Sequence, residues 1–149
     1  MKTIKIKILD RSIPVPEYAH AGDAGLDLYS SINCELRPFE RKKIPTGIKI
    51  SIPQSYAGFI QPRSGLAAKN GISIVNTPGL IDSGYRGEVC AILINLDPKN
   101  VFKVKKGDKI CQLVIQKVEK IKLEITEDLG ETSRGEGGFG STDFNNQKD

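Results

Sequence analysis

A chain of 149 residues and 16.3 kDa with a net charge of +4 is the size of one domain and leaves no room for two. Its longest apolar run, Val89 to Ile94, falls far short of the roughly 20 residues of a membrane-crossing helix, and 38% hydrophobic content excludes a disordered chain. Nineteen isoleucines and seven valines, with 15 glycines and 8 prolines between them, point to many short strands joined by turns.

Taken in order, Thr3 to Leu9 alternates polar and apolar residues as a strand does. It lacks the continuous apolar stretch of a secretory leader, so a cytoplasmic protein is expected. An irregular stretch from Asp10 to Ala21 follows, and Gly22-Asp23 turns into Leu26-Asp27-Leu28-Tyr29. Ile48 to Ile52 has a clean period of two, and Tyr56 to Gln61 is a strand closed by Pro62. Gly65 to Asn70 is the one short helix, with Gly71 to end it, although Asn70-Gly71 also reads as a hairpin turn before Ile72 to Val75. Further strands are expected at Glu88–Leu96, Val101–Val104, Lys109–Gln116 and Lys120–Ile125. The pattern stops at Leu129. It predicts an all-β domain over residues 1–129, a sandwich, jelly roll or barrel, and a flexible glycine-rich arm over 130–149.

Cys34, Cys90 and Cys111 are odd in number and far apart, which suits free thiols rather than a disulfide frame or zinc site. His20 is the single histidine, so no multi-histidine metal site can form. The lysines are scattered and the aromatics few, so stable nucleic-acid binding is not expected.

Four segments could carry chemistry. Pro62-Arg63-Ser64-Gly65 sets a guanidinium and a hydroxyl at a helix mouth, either to hold phosphate oxygens or as a Ser64 cap beside a solvated Arg63. Gly79 to Gly87 holds Asp82 and Tyr85 among glycines, either a loop aiming a general base at a ligand or a long turn. Asp27 alternates with Leu26 and Leu28, so leucines facing the core would leave it exposed. The stretch Arg134 to Thr142 joins glycine N–H groups, Arg134, Ser141 and Thr142 to the flat ring of Phe139, which suits a nucleotide or a disordered tail.

In sequence order, Ala-Gly-Leu-Asp-Leu-Tyr-Ser, Pro-Arg-Ser-Gly-Leu-Ala, Gly-Leu-Ile-Asp-Ser-Gly-Tyr-Arg-Gly-Glu-Val, Lys-Gly-Asp-Lys-Ile-Cys-Gln-Leu-Val and Arg-Gly-Glu-Gly-Gly-Phe-Gly-Ser-Thr resemble the five motifs of the trimeric deoxyuridine triphosphatases (dUTPases). The resemblance runs from Ile4 to Thr142. It implies a jelly-roll-like β-barrel subunit of a homotrimer with shared active sites. It implies hydrolysis of dUTP to dUMP and pyrophosphate by attack of water on the α-phosphorus with Mg²⁺, removing dUTP and supplying dUMP for dTMP synthesis. Carried onto this chain, Asp82 is the general base and meets the 3′-hydroxyl, and Tyr85 packs under the sugar and leaves no space for a 2′-hydroxyl. Asn76, with the backbone of Leu80, Ile81 and Cys90, reads the uracil edge. Arg63, Ser64, Gly65 and Gln112 hold phosphate oxygens, and Asp27 reaches Mg²⁺ through water. Arg134, Gly140, Ser141 and Thr142 clasp the γ-phosphate while Phe139 stacks on the base.

Two other functions fit the same fold. A dCTP deaminase would carry a glutamate in the strand after the aspartate loop, and Val89 to Ile94 has no acid. A non-catalytic nucleotide-binding regulator would keep the same motifs.

Overall fold

The computed structural model describes residues 3–138. Eleven strands and one short helix follow one another: β1 (Lys5–Ile8), β2 (Gly25–Tyr29), β3 (Cys34–Leu36), β4 (Arg41–Pro45), β5 (Ile48–Ser51), β6 (Tyr56–Gln61), α1 (Ser64–Asn70), β7 (Ile72–Ile74), β8 (Gly79–Ile81), β9 (Cys90–Asn95), β10 (Phe102–Val104) and β11 (Lys109–Lys117). All pairings are antiparallel, in sheets ordered β2-β11-β6-β8, β4-β9-β7, β1-β5 and β10-β3. The architecture is a jelly-roll-type β fold; the sheets do not close into one continuous barrel.

Alternation decides which side chains meet. Ile48 and Ile50 of β5, Ile72 and Ile74 of β7, and Ala91 and Leu93 of β9 point inward and pack with Leu28, Leu36, Ile44, Val104, Ile110 and Leu113. The two buried neutral polar side chains of this core that matter most are both bonded. Thr46 Oγ1 donates to Val89 O at 2.6 Å. Asn95 Nδ2 donates to Leu36 O at 3.0 Å and Asn100 O at 2.8 Å, tying β3 to the turn after β9.

Helix α1 is short because Gly71, at φ 64°, takes the left-handed conformation that ends it and donates its N–H to Ala67 O. Asn70-Gly71 is therefore a helix end and not a hairpin turn. The cap residue is Arg63, with no side-chain cap bond, so Ser64 is the first helical residue and not the cap.

Three expectations change. Strands β3, β4 and β8 lie where none was expected. Asp27, expected on an exposed face, is buried at 6% exposure. Lys120–Ile125 forms no strand, and Ile121, Leu123 and Ile125 stand 79%, 83% and 101% exposed, because no sheet among the described residues offers them a partner. The described residues contain no helix long and apolar enough to cross a membrane.

Candidate functional site

Strand β8 is the edge of its sheet, bonded to β6 on one side through Gly58↔Ile81 and Ile60↔Gly79. Its other side borders a cavity of about 420 Å³. Ile60, Ile74, Ile81, Val89 and Ile92 make the apolar walls, and Asn76, Tyr85, Lys43, Glu88 and Cys90 supply the polar groups. An unpaired strand edge presents backbone N–H and C=O groups in alternation, which suits the in-plane donors and acceptors of a heterocyclic base. The volume falls in the range of small-molecule sites. Cys90 sits here half-buried with its Sγ 3.6 Å from Glu88 O; burial and the Glu88 charge push its thiol up, so it is no activated nucleophile.

Asp82 is the first residue after β8 and is exposed. Among the described residues its carboxylate makes no hydrogen bond or ion pair, while its carbonyl accepts the Tyr85 N–H at 3.1 Å. The loop is internally braced. Tyr85 Oη donates to Glu88 O at 3.0 Å, and Arg86 donates to Ser83 O and Tyr85 O at 2.7 Å each. Glu88 anchors it to the core by accepting the Gly47 N–H at 2.8 Å.

The second cluster lies on β2, β11 and the start of α1. The ladder places Gln112 directly between Asp27 and Gln61. Arg63 Nε lies 3.2 Å from Asp27 Oδ1, Lys109 Nζ lies 2.8 Å from Asp27 Oδ2, and Arg63 Nη1 donates to Lys109 O at 3.2 Å. Burial alone would raise the Asp27 carboxyl. The hydrogen bond from Lys109, the Arg63 and Lys109 charges and Gln112 outweigh it and hold the carboxyl below its ordinary range. The same hydrogen bond raises Lys109. Next to it, burial pushes the Cys111 thiol up to about 12, so it is inert.

A prediction follows from the sign of the Asp27 shift. Because the carboxyl is lowered on folding, its contribution to stability is present above the unfolded value of about 4 and is lost as pH falls through the lower folded value. Asp27→Asn should therefore cost about 1–3 kcal/mol at neutral pH, discounted for the partial exposure of both cations, and should flatten the acid limb of thermal stability. Melting curves of both proteins from pH 3 to 7 check it; an unchanged acid limb would refute it.

The base-side residues Asn76, Leu80, Ile81, Tyr85 and Cys90 thus share one cavity. Arg63 instead borders a separate cavity of about 350 Å³ with Lys109 and Asp108. Ser64 and Gly65 are exposed in the first turn of α1. Arg134 is exposed and donates to Gly137 O at 2.8 Å. Phe139, Gly140, Ser141 and Thr142 lie outside the described residues. Sequence reasoning passed over Lys109, Lys43 and Glu88. Lys109 had a signal, three residues before Gln112 on the same strand; Lys43 had none, lying in a basic run.

No group of three His, Cys, Asp or Glu side chains gathers among the described residues, so no all-protein metal cage is formed there. Asp27 Oδ1 and Arg63 Nε are both buried without a hydrogen bond and face each other at 3.2 Å, so they meet as an ion pair of imperfect hydrogen-bond geometry.

Residues 11–143 match the family model for dUTPase. The deoxyuridine 5′-triphosphate nucleotidohydrolase of Corynebacterium glutamicum is 49% identical over 142 residues, covering 95% of this chain and 95% of that protein. Among solved structures, Staphylococcus bacteriophage 80alpha dUTPase with dUPNHPP superposes at a TM-score of 0.86 with 30% identity, covering 95% of this chain and 99% of that one. A variant dUTPase from phage phi11 of S. aureus, described with a structural Mg(II) ion, gives a TM-score of 0.79 at 27% identity, covering 86% of this chain and 99% of that one.

Proposed function

Since the chain belongs to the dUTPase family and is a dUTP nucleotidohydrolase, we propose that it hydrolyses dUTP to dUMP and pyrophosphate through a water activated by Asp82. The observation that carries this reading is the position of Asp82, one residue beyond the strand edge that walls the base-sized cavity. The carboxylate is unpaired among the described residues and therefore free to accept a proton from water. Uracil would lie against β8, with Asn76 and the backbone of Leu80, Ile81 and Cys90 at its edge and Tyr85 beneath the sugar. Arg63, Ser64, Gly65 and Gln112 would take phosphate oxygens, with Lys109 holding Asp27 in place.

Mg²⁺, when bound, would neutralise charge on the phosphates and be met by Asp27 through water. The lowered Asp27 carboxyl, which stays ionised between Arg63 and Lys109, supports that role. In sum, the chain would remove dUTP and supply dUMP for dTMP synthesis.

The working form would be a homotrimer in the cytoplasm with shared sites. Two observations support the sharing. The base cavity and the Arg63 cluster do not merge within one chain. Among the described residues, 120–138 hydrogen-bond only among themselves, leaving Ile121, Leu123, Ile125 and Leu129 bare. Arg134, Phe139, Gly140, Ser141 and Thr142 would then close a neighbour's site.

Pyrophosphate release from dUTP, UTP, dCTP and dTTP, with and without Mg²⁺, tests the reading. Mg²⁺-stimulated release from dUTP at least about 100-fold above the other three is expected. Ammonia release from dCTP would favour the deaminase instead, and tight dUTP binding without turnover would favour a regulator.

A further inference from the structure

We infer that Gly87 is a specificity-determining position, required because its missing side chain is the slot in which the Tyr85 ring rests. A Cβ built at Gly87 would lie 2.3 Å from Tyr85 Oη, 2.5 Å from Cζ and 2.9 Å from Cε2. Those separations are far inside van der Waals contact, so ring and side chain cannot both occupy the spot. The backbone does not demand glycine here, since Gly87 is outside the left-handed region that Gly47, Gly71 and Gly107 occupy. Nor is the whole loop crowded: at Gly84, three residues earlier, an added Cβ meets nothing within 4 Å. The constraint at position 87 comes from the tyrosine.

The ring is held in the slot by its hydroxyl, which donates to Glu88 O at 3.0 Å. Glu88 is itself fixed to the turn before β5 through Gly47. The ring is nevertheless 46% exposed, so it owes little to the core. A methyl at position 87 would therefore move the ring into solvent rather than unfold the protein. Resting on the reading of Tyr85 as the residue beneath the sugar, this makes Gly87 a positioning residue for selection of deoxyribose over ribose. A displaced ring opens the space that a 2′-hydroxyl needs.

The test compares wild type, Gly87→Ala, Tyr85→Ala and the double variant, measuring melting temperature and kcat/KM for dUTP and UTP. Gly87→Ala is expected to melt within a few degrees of wild type and to lose about tenfold or more of the dUTP preference. The double variant should match Tyr85→Ala, because the three atoms nearest the methyl all belong to the ring and leave with it. The preference ratio separates positioning from a general structural defect, which would lower both activities together. If Tyr85→Ala keeps the full preference, the sugar reading of Tyr85 fails and the inference goes with it. If Tyr85→Ala loses preference while Gly87→Ala keeps it, the inference alone is overturned. Equal destabilisation by Gly87→Ala with and without the tyrosine would also overturn it, by assigning the glycine to the backbone.

Discussion

Turnover of dUTP by Asp82→Asn is expected to fall by about 10²–10⁴, with affinity for a non-hydrolysable analogue held within about threefold. The size follows from what the substitution removes. Asparagine has the shape of aspartate but cannot take a proton from water at neutral pH, so orientation survives and base catalysis does not. The fold should not notice. The Asp82 side chain is exposed and makes no hydrogen bond or ion pair among the described residues, and the bond that shapes the loop uses its carbonyl, which asparagine retains. Calorimetric titration with the analogue, alongside steady-state rates, separates the two effects. Near-normal turnover would remove Asp82 from the chemistry. A collapse of affinity with kcat preserved would make it a binding group.

Where the chain signals its own structure, the signal is periodicity. Ile48 to Ser51, Tyr56 to Gln61 and Lys109 to Lys117 are strands because alternate residues face the core, and the sequence displays that alternation directly. Strand β4 was hidden because Arg41, Lys42 and Lys43 place three cations in a row, with Ile44 as the single inward-facing apolar side chain. Its preceding turn was hidden too. Glu40 N–H donates to Arg37 O at 2.9 Å around Pro38-Phe39, and Phe39 takes φ 59° where a glycine would have announced the turn. Asp27 was misplaced because alternation assigns faces but does not say what covers them: Arg63 and Lys109, which are 36 and 82 residues away in sequence, cover this one. The base-side half of the candidate site was legible as ordered motifs. The ion cluster needed the β2–β11–β6 register, which no local pattern encodes. Lys120 to Ile125 shows the converse. Its alternation is real, but a strand also needs a neighbour, and none of the described strands pairs with it.

Refolding two inactive variants together should restore activity. Take Asp82→Asn and a truncation before Arg134, each expected to have lost nearly all turnover, and unfold and refold them in equal amounts. If the arm of one chain closes the Asp82 site of another, a working site needs a truncated chain to supply Asp82 and an Asp82→Asn chain to supply the arm. Random assembly in a cyclic trimer meets both conditions about a quarter of the time, so about a quarter of wild-type activity should return. If both groups came from one chain, every site would lack one of them and no mixture could recover. The bonding favours the first case, since among the described residues 120–138 bond only among themselves and the last bonds into the sheets are Val118 N–H to Ser55 O at 2.9 Å and Glu119 to Lys117 at 3.0 Å. Mixing without refolding is the control, and it should stay inactive while trimers hold their subunits. Tagging one variant and recovering the other with it establishes that mixed trimers formed. Mixed trimers that remain inactive would exclude a site shared between chains, and the bare Ile121, Leu123 and Ile125 would then have to be covered by some other surface.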